Sequence, residues 1–65
     1  MNYCKCHDLP KEGRFVIGNV YRWSYIIDAT LVIDEDGRKI YFNDYVFLWY
    51  FTKLNDVTTE EKKNV

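Results

Sequence analysis

The sequence predicts a mainly β fold, a small five-stranded barrel with one short helical turn before the last strand. Three observations support this prediction. Residues that favour strands occur in short runs, turn-forming residues separate these runs, and two of the runs flank a short acidic loop with a glycine near its end. The chain has 65 residues, of which 18% are aromatic. So short a chain buries only about 60% of its unfolded surface, and we expect the large rings to provide most of its core.

The first strand is expected over Tyr3–His7, a short segment that is compatible with an extended backbone. A turn-rich stretch follows over residues 8–14. Pro10 removes a backbone donor there and Gly13 allows a positive φ, so a regular strand cannot continue through it.

The second strand is expected over Val20–Ile27, where most residues pack well on a pleated surface. Alternation places Tyr21, Trp23 and Tyr25 on one face of this strand. We predict that this aromatic face points into the core at its first two positions, Tyr21 and Trp23.

The strongest local signal is a hairpin. The β-favouring runs Leu31–Ile33 and Ile40–Phe42 are joined by Asp34–Arg38, an acidic loop that contains Gly37. The spacing of these acidic residues does not match a calcium-binding loop. We therefore interpret them as turn formers.

The closing segment is ambiguous between helix and strand. Asn43 or Asp44 is expected to cap a helical turn over Tyr45–Leu48, followed by a last strand over Trp49–Leu54. The alternative is one longer helix over Tyr45–Phe51, because periodicity cannot separate helix from strand in so apolar a run.

The composition indicates one domain, residues 1–54, followed by a charged tail, residues 55–65, that is expected to be disordered or at most a frayed helix. Residues 1–54 contain seven basic and seven acidic residues, so this body is neutral. A neutral body lacks the basic footprint that binding to a phosphate backbone requires. We also see no signal peptide and no membrane-spanning run, and we expect a cytoplasmic protein with reduced cysteines.

Cys4, Cys6 and His7 form one cluster with metal-ligand or nucleophile chemistry. A structural zinc site needs four ligands, and Asp8 is the one nearby candidate for the fourth. On a strand the two cysteines share a face and His7 points away, which disfavours both chelation and a Cys–His catalytic pair. We therefore expect buried structural thiols, no metal, no cofactor and no catalytic site.

The segment from Tyr45 to Phe51 consists of seven consecutive large apolar or aromatic residues. A domain of this size cannot bury all of them, and contiguous exposed aromatic residues mark interaction sites. We predict that Tyr45, Trp49 and Tyr50 are exposed and bind a partner. Six other rings are assigned to the core: Phe15, Tyr21, Trp23, Phe42, Phe47 and Phe51.

The chain resembles a diffuse group of small SH3-like barrel proteins encoded by bacteriophages and prophages. Their pattern is a strand with a cysteine, Phe/Leu-x-x-Gly-x-x-Tyr, an acidic hairpin with glycine, and a closing Phe-x-x-x-Phe. The resemblance covers Tyr3 to about Leu54, and the matching residues are Cys4, Phe15, Gly18, Tyr21, Asp36, Gly37, Phe42, Phe47 and Phe51. It implies an SH3-like barrel in the cytoplasm of a bacterial host. It also implies a binding role, because phages use such domains to occupy host enzymes, defence proteins or transcription machinery.

Three hypotheses for function follow. The first is a non-enzymatic protein-binding module that modulates a host protein through its exposed aromatic residues. The second is a barrel that binds single-stranded nucleic acid, with Arg14, Arg22, Arg38 and Lys39 lining a groove, although the neutral body argues against it. The third is a self-assembling structural protein whose aromatic patch closes a homodimer.

Overall fold

The computed structural model describes residues 2–54. These residues form a mainly β structure with five antiparallel strands in one open sheet and one short helix, as the sequence predicts at this level. The elements are β1 (Asn2–Cys6), β2 (Val20–Ile26), β3 (Ala29–Ile33), β4 (Lys39–Phe42), α1 (Asp44–Tyr50) and β5 (Phe51–Lys53). The predicted tail, residues 55–65, lies outside the described residues.

The order of strands in the sheet is β4-β3-β2-β1-β5, so β4 and β5 are its two edges. Strands β1 to β4 follow one another as neighbours, and β5 returns to pair with β1. Helix α1 connects the two edge strands and therefore carries the chain from one side of the sheet to the other. Within residues 2–54 no helix has the length and apolarity needed to cross a lipid bilayer.

The core lies on one face of the sheet, beneath α1. In β2 the side chains of Tyr21 and Trp23 are buried and that of Tyr25 is exposed, which confirms the predicted inward positions. All six aromatic residues assigned to the core are buried, together with Val32 and both cysteines. The rings of Phe47 in α1 and Phe51 in β5 are stacked, with centroids 5.3 Å apart, and this contact packs α1 against the sheet.

The hairpin of β3 and β4 forms as predicted, with Leu31 opposite Tyr41 and Ile33 opposite Lys39. Strand β3 starts two residues earlier than the predicted run, at Ala29. It follows a tight turn at residues 27–28 in which Asp28 has a φ of 63°. This turn was not predicted, because residues 27–28 contain no glycine or proline.

The closing segment differs from the prediction. Helix α1 runs from Asp44 to Tyr50, so Trp49 and Tyr50 are helical and the last strand begins only at Phe51. The alternative of a longer helix was closer to the observed structure. Asn43 is the N-cap, and its side chain accepts a 2.8 Å hydrogen bond from the backbone N–H of Tyr45. The helix ends at Tyr50 because pairing with β1 requires the extended conformation of Phe51.

The connection between β1 and β2, residues 7–19, lies against the loop of the β3–β4 hairpin. The backbone N–H of Glu35 donates to the carbonyl oxygen of Arg14 at 2.9 Å. The guanidinium of Arg14 forms a 2.8 Å ion pair with Asp36. Two segments far apart in sequence are thus joined into one end of the domain.

Candidate functional site

Three apolar side chains project from α1 into solvent. Tyr45, Leu48 and Trp49 are 78%, 50% and 63% exposed. They stand at positions i, i+3 and i+4 of the helix, and residues at this spacing lie side by side on one helix face. We call these three residues the α1 face.

The opposite side of the same helix holds it to the core. Phe47 is fully buried, and Val46 and Tyr50 are half-buried against the core cluster. The helical period therefore divides the apolar segment into an inward and an outward set. Since the inward set is packed, the α1 face is presented on a backbone with little freedom to rearrange.

The first turn of α1 is attached to the sheet by a second contact. The hydroxyl of Thr30, a buried residue of β3, donates a hydrogen bond to the carboxylate of Asp44. Asp44 is the one charged residue of α1, and none of the three residues of the α1 face carries a charge. The face is thus an apolar and aromatic surface with one acidic residue at its margin.

Two of the three predicted site residues, Tyr45 and Trp49, lie together on the α1 face. The third, Tyr50, was predicted to be exposed, and the structure places it half-buried. Its ring lies 6.4 Å from that of Phe42, and its carbonyl oxygen accepts hydrogen bonds from the N–H groups of His7 and Asp8 at 2.8 and 3.2 Å. Tyr50 therefore helps to hold the fold. Leu48 was missed, although its spacing from Tyr45 on a helix could have identified it.

The two cysteines are fully buried on the core side of β1, as predicted for structural thiols. Burial, with a smaller contribution from the neighbouring Cys6, raises the pKa of the Cys4 thiol to about 12. Burial also raises the pKa of Cys6, whose Sγ donates to the carbonyl oxygen of Asp8 at 3.1 Å. Nucleophilic chemistry requires the thiolate, which these pKa values disfavour at neutral pH.

No three His, Cys, Asp or Glu side chains within residues 2–54 come together in a group that could hold a metal ion. His7 is exposed just beyond the end of β1. It does not share the buried face of the two cysteines, as the alternation along the strand predicts.

Asp34 has a larger role than that of a turn former. Its buried carboxylate accepts backbone hydrogen bonds from Arg14 at 3.0 Å and from Asp36 and Arg38 at 2.9 Å. Burial by itself raises the pKa of this carboxyl group, but the three N–H donors and the Arg38 guanidinium outweigh it, so the pKa lies below its usual value. This role could not be predicted from the local sequence, because the donor from Arg14 comes from a segment 20 residues away.

Glu35 joins the same two loops. Its carboxylate accepts hydrogen bonds from the hydroxyl of Tyr21 and from the side-chain amide of Asn19. These two donors lower the pKa of Glu35. The Tyr21 hydroxyl in turn accepts a 2.8 Å hydrogen bond from the backbone N–H of Val16. Asp34 and Glu35 are therefore occupied in holding residues 7–19 in place.

The four basic residues considered for a nucleic-acid groove separate into two places. Arg14 is paired with Asp36, and Arg38 lies 3.5 Å from Asp34 and 3.6 Å from Asp36, all in the hairpin loop region. Arg22 and Lys39 lie instead on the exposed side of β2 and β4. The predicted groove of four residues is thus not formed as one site.

Comparisons with protein-family models, with curated proteins and with solved structures find no match to this chain.

Proposed function

We propose that the chain is a non-enzymatic protein-binding module that binds its partner through the α1 face. The observation that carries this proposal is the exposure of Tyr45, Leu48 and Trp49 side by side on a capped helix whose other side is packed into the core. Adjacent exposed aromatic residues on a soluble surface are characteristic of interaction sites.

The composition of the α1 face supports a strong contact over a small area. Trp and Tyr are enriched among the interface residues whose truncation costs 2 kcal/mol or more. Because Phe47 fixes the helix, little conformational entropy is lost when the face becomes ordered against a partner. The matching partner surface is an apolar groove that accepts a large aromatic side chain.

The absence of a catalytic role is part of the same proposal. The buried thiols with their raised pKa values, and the carboxylates of Asp34 and Glu35 engaged in loop contacts, support it. These groups are the nucleophiles and acids that catalysis would draw upon, and they serve the fold instead.

We further propose an SH3-like barrel of phage origin that modulates a protein of the bacterial host. The strand order, with a meander of four strands and a fifth that returns through a short helix to pair with β1, supports the barrel architecture. The phage origin and the host partner rest on the sequence resemblance alone.

Affinity capture from a bacterial lysate tests the α1 face. The wild-type chain should retain a specific host protein, and the double variant Y45A/W49A should lose it at equal loading. The matched control is I17A/I27A, which removes two exposed apolar side chains far along the chain from α1. Thermal unfolding checks that all three proteins are folded.

Two results would contradict the proposal: capture that survives in Y45A/W49A, or a wild-type chain that retains nothing specific. Sedimentation of the purified chain distinguishes the homodimer hypothesis. If wild type is a dimer and Y45A/W49A a monomer, the α1 face closes a self-association contact and the host-protein proposal is wrong.

A further inference from the structure

The side of the sheet that faces away from the core forms a second surface, separate from the α1 face. Alternation along the strands places on it the residues that flank the buried positions of β1 to β4. We call it the outer face, and its central residues are Tyr3, Lys5, Arg22, Ser24, Leu31, Ile33, Lys39 and Tyr41.

The register of the strands arranges these residues in rows. Tyr3 pairs with Arg22, and Ile33 pairs with Lys39. Because Trp23 pairs with Val32, Arg22 and Ile33 are also neighbours. One row across four strands therefore reads Tyr3, Arg22, Ile33, Lys39, and the next reads Ser24, Leu31, Tyr41.

The outer face is positively charged although the body of the chain is neutral. It carries Lys5, Arg22 and Lys39, all exposed. The acidic residues among the described residues occupy the loops, the β2–β3 turn and α1, and none occupies a position on this face. Folding thus separates charges that are evenly mixed along the sequence, and the neutral total hides a cationic surface.

A shallow depression of about 390 Å³ lies at the centre of the outer face, lined by Arg22, Ser24, Leu31 and Ile33 of that face and by Asn2 of β1 and Trp23 of β2. Tyr3 and Tyr41 stand on either side of it and are 44% and 56% exposed. They belong to β1 and β4, which are three strand spacings apart, or about 14 Å. Two aromatic rings thus flank a depression in which a guanidinium lies.

We propose that the outer face binds single-stranded nucleic acid, with bases stacked on Tyr3 and Tyr41 and phosphates contacted by Lys5, Arg22 and Lys39. Sites of this class combine cations that follow the phosphate backbone with exposed rings that stack bases. Two rings on separate strands, with cations beside them, fit this ligand better than an acidic peptide, which does not need separated stacking surfaces. This inference does not depend on the α1 face.

Fluorescence anisotropy with a labelled oligothymidylate tests the proposal, because thymidine runs present bases without duplex structure. Wild type should bind at low ionic strength. With three phosphate contacts the plot of log K against log salt concentration should have a slope of about −2, from about 0.7 per contact. The neutral variants Arg22→Gln and Lys39→Gln should each reduce this slope by about 0.7.

Substitutions at the two tyrosines test stacking independently of charge. Tyr3→Ala and Tyr41→Ala should each weaken binding about 5- to 150-fold, whereas Tyr3→Phe and Tyr41→Phe keep the ring and should bind like wild type. Y45A/W49A alters the other surface and should bind the oligonucleotide normally, so the two proposals can fail separately. Thermal unfolding of each variant confirms that it is folded.

The proposal is overturned if wild type does not bind at low salt, or if the alanine and phenylalanine variants bind alike. It is also overturned if poly-glutamate of equal charge displaces the oligonucleotide as well as unlabelled oligothymidylate does. That last result would assign the outer face to an acidic protein segment.

Discussion

The ammonium group of Lys53 donates a 2.6 Å hydrogen bond to the hydroxyl oxygen of Tyr25. Lys53 lies on β5 and Tyr25 on β2, and β1 separates these two strands in the sheet. The same ammonium lies 4.8 Å from the centroid of the Trp23 ring, which packs edge-on against Tyr25. One side chain therefore reaches across β1 and ties a three-residue edge strand to the longest strand of the sheet.

We expect Lys53→Met to lower the free energy of unfolding by about 0.5–1 kcal/mol, the usual size of a cation–π contact at an exposed site. Lys53→Arg keeps a cation above the Trp23 ring and should lose less. Urea unfolding followed by tryptophan fluorescence measures both. Equal losses for the two variants would show that the cation does not stabilise the edge strand.

Gly13 and Gly37 differ in the space that surrounds them. Gly13 and Gly37 have φ values of 84° and 83°, so alanine is strained at both. A Cβ at Gly13 would lie 2.5 Å from the Phe15 ring and 2.9 Å from Ile40, whereas none of the described atoms lies within 4 Å of a Cβ at Gly37.

Gly37→Ala should therefore cost about 1–2 kcal/mol, the penalty of the left-handed backbone alone. Gly13→Ala should cost a further 1–3 kcal/mol, because the core side chains must move. Chemical denaturation of the two variants provides the comparison. A Gly13→Ala protein as stable as Gly37→Ala would mean that Phe15 and Ile40 do not pack closely against Gly13.

Because the pKa of Asp34 is lowered in the folded chain, we expect the protein to lose stability in acid. The ionised carboxylate stabilises the fold, since its pKa is lower in the folded chain than in the unfolded chain. This contribution is complete above the ordinary pKa of an aspartate, near pH 4, and is lost as the pH falls through the lowered folded value. Glu35 adds to the effect with the same sign.

We expect Asp34 and Glu35 to change the melting temperature of wild type little between pH 7 and about pH 5. At pH values below about 4 the melting temperature should decrease, because these carboxylates become protonated. Asp34→Asn should be less stable at pH 7 and should show a shallower decline in acid. Glu12→Gln, which changes an exposed carboxylate in the connection between β1 and β2, is the control and should follow wild type. An unchanged acid profile in Asp34→Asn would refute the role assigned to Asp34.

Because the thiols of Cys4 and Cys6 are buried, we expect thiol reagents to label them slowly. With the pKa of Cys4 raised to about 12 and both sulfur atoms enclosed in the core, a disulfide reagent should modify neither cysteine in the folded protein at pH 8 on the time scale of an exposed thiol. Both should react at once in guanidinium chloride. Rapid labelling under native conditions would mean that β1 detaches from the core.

Much of the fold follows from local patterns. The hairpin of β3 and β4 was predictable because the loop Asp34–Arg38 consists largely of turn-forming residues and the flanking runs favour strands. The inward positions Tyr21 and Trp23 were predictable because side chains alternate along a strand. In the candidate site, Tyr45 and Trp49 were predictable because a small core cannot enclose every ring of the closing segment.

Local sequence patterns thus specify the approximate positions of the first four strands, their inward rings and an excess of aromatic residues that must remain in solvent, since these depend on periods of a few residues. Long-range packing places the Tyr50 ring inward against Phe42, and it brings the backbone N–H of Arg14 to the carboxylate of Asp34. The sheet register likewise gathers Lys5, Arg22 and Lys39 onto a face that holds no acidic residue among residues 2–54. Each of these outcomes depends on contacts between segments distant in sequence, and their geometry is established only when the whole chain packs.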